Sequence, residues 1–172
     1  MCVFMSKNYC ILAGGCFWCI AYPYYELEGV SEVLSGYIGD TQDTAIYEKV
    51  KSQTTLHREA IKIVYDDSIL TYEKILEVYF SNVDPFDEGG QFIDRGNSYT
   101  LALYYHNQEQ IEEITSYVQT IENKLNKKVC IEILEETEFF SAEEYHQNYA
   151  LKNPEEFEKE LFLSGRKKEK NK

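Results

Sequence analysis

No stretch of this chain approaches the ~20 consecutive apolar residues that a membrane-spanning helix needs, so a span is excluded. Positive charge is also scarce: 17 Lys and Arg stand against 30 Asp and Glu, a formal net charge of −13. Such a chain lacks the phosphate-neutralising cations on which a duplex nucleic-acid binder relies, and it suits an anionic membrane surface no better. The opening residues Met1 to Ser6 are largely apolar, but Lys7-Asn8 follows and leaves no room for a signal-peptide core. A cytoplasmic protein is expected, in which paired cysteines point to catalysis or metal rather than to a lasting disulfide. A second closely spaced Cys/His pair is missing too. His57, His106 and His146 each stand alone, so Cys16-x-x-Cys19 is half a zinc site without its other half, and no metal or cofactor is expected. No repeat or low-complexity linker divides the 172 residues, a length that fits a single domain, 1–172, with a real core. Its basic end, 166–172, reads as a disordered tail.

What the chain does have is concentrated at Gly14-Gly15-Cys16-Phe17-Trp18-Cys19, where its one tryptophan sits between two of its five cysteines. Tyr9 to Ala13 has the pattern of a strand, and the residues after Cys16 that of a helix. Cys16 therefore falls at a strand-to-helix junction, where exposed N–H groups and the helix dipole are expected to pull a thiol below its free value of about 8.5. Cys10 and Cys130 lie inside strand patterns and read as buried apolar residues, and Cys2 at the terminus suggests no role.

Periodicity predicts strands over 8–13, 31–37, 59–65, 99–105 and 129–134, and helices over 16–27, 72–83, 108–125 and 141–152, with a short last helix from Pro154. Asn107-x-x-Gln110 and Ser141-x-x-Glu144 have the form of capping boxes. The polar stretches 39–56 and 86–98 read as loops, longer than the usual connection, and both are candidates to surround Cys16. Strands alternating with helices make an α+β fold, a two-layer α/β sandwich with helices packed on a mixed sheet of four to six strands.

Three chemistries fit a Cys-x-x-Cys pair: a metal half-site, a thioredoxin-like dithiol acting as a general thiol–disulfide oxidoreductase, and a reactive thiolate with an aromatic substrate slot. The bulky Phe17-Trp18 between the thiols suits the third best. Gly15-Cys16-Phe17-Trp18 then resembles the signature of the A-type peptide methionine sulfoxide reductases. The resemblance extends through Ser35-Gly36-Tyr37, Tyr47-Glu48-x-Val50, His57-Arg58-Glu59 with Val64-Tyr65-Asp66, Asp94-Arg95-Gly96-x-x-Tyr99 and Glu144-Tyr145-His146-Gln147-x-Tyr149, in family order over about residues 9–154.

That resemblance implies a ferredoxin-like form of the sandwich and reduction of methionine (S)-sulfoxide, free or in proteins. Cys16 would be the nucleophile and pass through a sulfenic acid. Glu59 would be the acid, Tyr47 and Tyr99 would hydrogen-bond the sulfoxide oxygen, and Asp94 would hold the polar network beside it. Phe17 and Trp18 would wall the methyl slot. Taken alone, Glu59 reads as a solvated strand carboxylate and the tyrosines as ordinary packing residues; His146 is assigned no catalytic part. The sequence departs from many relatives after Cys130, where no cysteine follows to resolve the sulfenic acid. Cys19 is the candidate resolver, with a one-cysteine cycle as the alternative. Thioredoxin, glutaredoxin or another thiol is the expected reductant, and the enzyme is expected to be a monomer.

Overall fold

Side-chain alternation along the strands decides how the chain is layered in the computed structural model, which describes residues 6–167. Strand β1 (Lys7–Ala13) sends Cys10 and Leu12 to one face, while Ile11 and Ala13 join a smaller cluster on the other. Helix α1 (Phe17–Ala21) follows, then β2 (Val30–Ile38), helix α2 (Tyr47–Lys51), β3 (Arg58–Asp66) and α3 (Tyr72–Asn82). A small hairpin, β4 (Gly90–Gln91) and β5 (Asp94–Arg95), precedes β6 (Ala102–Tyr105) and the long α4 (Gln108–Leu125). The chain ends through β7 (Glu132–Glu135), β8 (Phe139–Ser141), α5 (Tyr149–Lys152) and α6 (Pro154–Leu163).

Six strands form one mixed sheet in the order β7-β6-β1-β3-β2-β8, antiparallel at every step except β6 with β7. Ile61, Ile63 and Tyr65 of β3 share the face of Cys10 and Leu12, and that face is covered by Ile20 of α1, Ile75, Leu76 and Tyr79 of α3, and Ile114 and Val118 of α4. Burial of these side chains removes the apolar stripe of each helix from water, the main favourable contribution to the fold. Helix α4 opens as the sequence predicts, with Asn107 Oδ1 accepting from the Gln110 N–H at 2.8 Å. The return bond differs: Gln110 Oε1 accepts from His106 N–H, one residue before the cap.

Several sequence expectations are corrected. The predicted helix 16–27 stops at Ala21 and tightens to a 3-10 turn over 22–24, because Pro23 has no N–H to continue the α pattern. The stretch 39–56 is not all loop: a 3-10 turn at 42–44 and α2 lie within it. The strand predicted from 99 begins at 102, since 97–99 is another 3-10 turn. No helix spans 141–152. Ser141 lies in β8, paired with Gly36, and only 149–152 is α-helical. The strand at 129–134 shifts to 132–135, so Cys130 precedes it and is half-buried, its N–H donating to Pro85 O at 2.7 Å. Of the stretch 166–172 expected to be a loose tail, Arg166 and Lys167 make hydrogen bonds; Cys2 and residues 168–172 lie outside the described residues. Among the described residues no helix is long and apolar enough to cross a membrane.

Candidate active site

Strand β1 leaves the sheet at Ala13 and turns sharply through Gly14 and Gly15 into α1. Gly15 has φ +87°, and a Cβ there would meet Arg166 Nη2 at 2.6 Å and Gln91 Cβ at 2.7 Å, so only glycine fits without displacement. Three contacts hold the turn: Tyr79 Oη donates to Ala13 O at 2.7 Å, Arg166 Nη2 donates to Gly14 O at 3.0 Å, and the Phe17 N–H donates to Glu59 Oε1 at 3.1 Å. Cys16 is the residue before α1, its carbonyl accepting from the Cys19 and Ile20 N–H groups. The helix therefore lifts Cys16 to a half-buried position and folds Cys19, only 6% exposed, back against it.

Both cysteines are free, and Cys16 packs against Cys19, within reach of a weak S–H···S bond. That bond and burial hold the Cys16 thiol well above its usual range, while accepting the bond draws Cys19 down. The expectation that the helix terminus alone would make Cys16 a thiolate is thus corrected. Helix α1 has five residues, and its first N–H is spent on Glu59 rather than on sulfur. Cys16 and Cys19 therefore titrate as one pair that shares a proton.

Glu59 is 2% exposed, on the face of β3 that packs under α1. Burial pushes its carboxyl well above the carboxylate range, and the nearby Cys16 and Asp94 push it further; the Phe17 N–H and Tyr99 hydroxyl oppose this only in part. The same logic raises Asp94 on β5, chiefly by burial against the opposing pull of Arg166. Tyr47 begins α2 and is raised to about 12 by burial and by the charges of Glu59 and Cys16. Tyr99, closing the 3-10 turn, is raised by burial and then by Glu59 and Asp94. These mutual effects bring Cys16, Glu59, Asp94, Tyr47 and Tyr99 within electrostatic reach of one another. The two long stretches are joined at Gln53, whose Nε2 donates to Ser98 Oγ at 2.6 Å and whose Oε1 accepts from the Ser98 N–H at 3.0 Å.

Phe17 is only 1% exposed and packs against Tyr37 and His146, at ring distances of 5.8 and 5.0 Å. Trp18 is half-buried beside it, stacked on Tyr149 with ring centroids 3.7 Å apart and planes 8° from parallel. Its Nε1–H donates to His146 Nδ1 at 3.2 Å. An indole N–H only donates, so His146 carries its proton on Nε2, which points toward Glu143 Oε2 at 3.9 Å. Burial holds His146 below its ordinary value, which favours the neutral ring this bond requires. Glu143 also accepts from the Tyr37 hydroxyl and the Tyr47 N–H, tying β2 and α2 to the segment after β8.

Sequence reasoning missed Glu143 and Arg166, and gave no role to His146 and Tyr149 although both lie in the motif at 144–149. It also undervalued Glu59, although period-two alternation from Ile61 and Ile63 puts residue 59 on the buried face. For Arg166 no sequence signal exists, because its partner Gly14 lies 152 residues away.

The sequence matches the peptide methionine sulfoxide reductase family profile over residues 8–172. The peptide methionine sulfoxide reductase MsrA of Bacillus velezensis is 41% identical over 163 residues, covering 94% of this chain and 92% of that protein. Among solved structures, reduced Mxr1 from Saccharomyces cerevisiae has a TM-score of 0.81 at 25% identity, with 87% of each chain covered. Mxr1 in complex with Trx2 aligns with a TM-score of 0.56 at 17% identity, over 82% of this chain and 84% of that one. The chain belongs to the peptide methionine sulfoxide reductase family.

Proposed function

We propose how this peptide-methionine (S)-S-oxide reductase performs its reaction, with Cys16 as nucleophile and Glu59 as acid. The observation that carries the reading is a carboxyl held protonated by burial beside a thiol pair, because a sulfoxide becomes a good electrophile only when its oxygen receives a proton. Glu59 gives its proton to the sulfoxide oxygen while Cys16, as the thiolate of the Cys16/Cys19 pair, attacks the substrate sulfur, the pair's remaining proton being held by Cys19. The protonated oxygen then passes from the methionine sulfur to the Cys16 sulfur: the transient S–S bond and the methionine S–O bond break, a Cys16 S–O bond forms, and methionine leaves a Cys16 sulfenic acid and a Glu59 carboxylate. Tyr47 and Tyr99, whose raised values keep them protonated, donate hydrogen bonds to the oxygen. Asp94 completes the polar side. The Trp18 ring, held by His146 and Tyr149 and backed by Phe17, takes the methyl group.

Cys19 then attacks the Cys16 sulfenic acid, forming a disulfide and releasing water. A thioredoxin-type dithiol reduces the disulfide, a partner consistent with the Mxr1–Trx2 complex. A general thiol–disulfide oxidoreductase would give Glu59, Tyr47 and Tyr99 nothing to do, and is not favoured. We also read the interleaved core β1-α1-β2-β3-α3-β6, in sheet order β6-β1-β3-β2, as ferredoxin-like. The test of the mechanism is turnover of a peptide (S)-sulfoxide with dithiothreitol. Cys16→Ser is expected to abolish it; full activity in that variant would overturn the assignment.

A further inference from the structure

The chain's end returns to its beginning at a charged contact that the mechanism above does not use. Ser164 O accepts from the Ile93 N–H at 3.3 Å, which carries the segment after α6 onto the β4–β5 hairpin. Arg166 then spans the gap between two main-chain segments, Nη1 donating to Asn82 O and Nη2 to Gly14 O, both at 3.0 Å. Its guanidinium lies over the Phe92 ring at 4.8 Å, and Gly15 leaves it the room to do so. Both carbonyl partners are neutral, and among the described residues no carboxylate makes an ion pair with Arg166. A permanent cation is therefore fixed against the residue two before Cys16, in a chain of net charge −13.

The groups that face the thiol pair from the surrounding elements are Glu59 of β3, Asp94 of β5, Tyr47 of α2, Tyr99 of the 97–99 turn and Tyr149 of α5. None of these is a cation: Asp94 opposes a negative sulfur at both cysteines and Glu59 at Cys19, while the phenols stay neutral. Arg166 is the one cation among the groups found to act on Cys16 and Cys19, and it favours the charged form of both. It also lines the groove behind α1 into which Cys19 faces, together with Phe92, Phe157 and Leu161.

We propose that Arg166 is the positioning residue of the thiol pair, its guanidinium seated on the Gly14 carbonyl to supply the fixed positive charge for the thiolate that Cys16 and Cys19 share. This rests on the reading of Cys16 as nucleophile. It gives the C-terminal segment a task in the chemistry although that segment carries no cysteine.

Alkylation of the reduced protein by iodoacetamide, followed across pH and mapped to each cysteine by mass spectrometry, tests it. Iodoacetamide is neutral, so its approach is not biased by charge. At pH 7 Arg166→Gln should slow modification of the Cys16/Cys19 pair about three- to tenfold and move its pH midpoint upward, as expected when one charge a few ångströms away is removed from a partly screened site. Arg166→Lys keeps the charge without the two-carbonyl fork and should stay within about twofold of wild type. An unchanged rate in Arg166→Gln would overturn the proposal. So would an Arg166→Lys rate as slow as that of Arg166→Gln when Arg166→Lys melts like wild type, because the loss would then not follow charge. Alkylation needs no turnover, so the outcome is separate from that of the Cys16→Ser assay.

Discussion

Two buried side chains carry opposite demands on the fold, and Glu59 shows this most plainly. The folded state holds its carboxyl neutral, whereas the unfolded chain ionises it above about pH 4.3. A raised folded value means that stability is fully present below the unfolded value and is lost as pH rises through the folded one. Glu59→Gln removes that penalty, so its melting temperature should exceed wild type at pH 8 and match it at pH 4. Its kcat/KM should fall by about 10²- to 10⁴-fold, the range lost when a general acid is removed. Equal melting temperatures at pH 8 would show that Glu59 ionises freely. His146 makes the second demand, since its Nδ1 must stay unprotonated to accept from Trp18. Trp18 is the sole tryptophan, so its emission reports on this bond directly. Titrated with acid, it should shift with a midpoint below about 6.5 in wild type, and this transition should be missing in His146→Phe. The neighbouring Glu143 and Glu48 carboxylates are present in both proteins, so an identical transition in His146→Phe would remove His146 from the account.

The elements divide into those written in local sequence and those made by distant partners. Helices α3 and α4 and strands β1 and β3 were legible because each is long enough to repeat its apolar period, and Asn107 marks the start of α4 outright. The short pieces that carry the site were not. Helix α2 is five residues long, and its first N–H is satisfied by Glu143, 96 residues away. The expected helix at 141–152 gives way to an edge strand because Phe139 and Phe140 come against Gly36, where no side chain stands in the way. Gln147 then bonds both main-chain groups of Ser35, at 2.9 Å each, in place of a helical hydrogen bond. Residue identities at the site were readable for Cys16, Glu59, Tyr47, Asp94 and Tyr99 through their resemblance to a family, whereas Arg166 and Glu143 depend on contacts that no local pattern encodes. Two predictions belong to the turn between β1 and α1. Gly15→Ala should cost about 1–3 kcal/mol in denaturant unfolding, because it combines a left-handed backbone with contacts to Arg166 and Gln91. Wild-type stability in that variant would mean that the turn has another conformation. With one equivalent of substrate and no reductant, wild type should lose two free thiols and Cys19→Ser one, counted by a thiol reagent. Equal losses would take Cys19 out of the cycle.

At the scale of the whole molecule, the sheet gathers groups that are scattered along the chain. Cys16 comes from the exit of β1, Glu59 from β3, Tyr47 from α2, Tyr99 from the 97–99 turn, and the ring that holds Trp18 from the segment after β8. Arg166 closes this arrangement from the far end of the chain. On the proposed roles of Trp18 and Glu59, a site assembled from so many segments should discriminate between sulfoxide epimers, because a methyl slot and a directed proton would fix two of the substituents on sulfur. The central claim is that Cys16 takes the sulfoxide oxygen in a stoichiometric step that Glu59 assists. Single turnover without reductant measures it most directly: reduced enzyme is mixed with excess peptide containing the (S)- or the (R)-sulfoxide, and the methionine peptide formed per enzyme is counted. The account predicts about one equivalent from the (S) epimer, almost none from the (R) epimer, and none from Cys16→Ser with either. Methionine formed by Cys16→Ser, or equal yields from the two epimers, would contradict it.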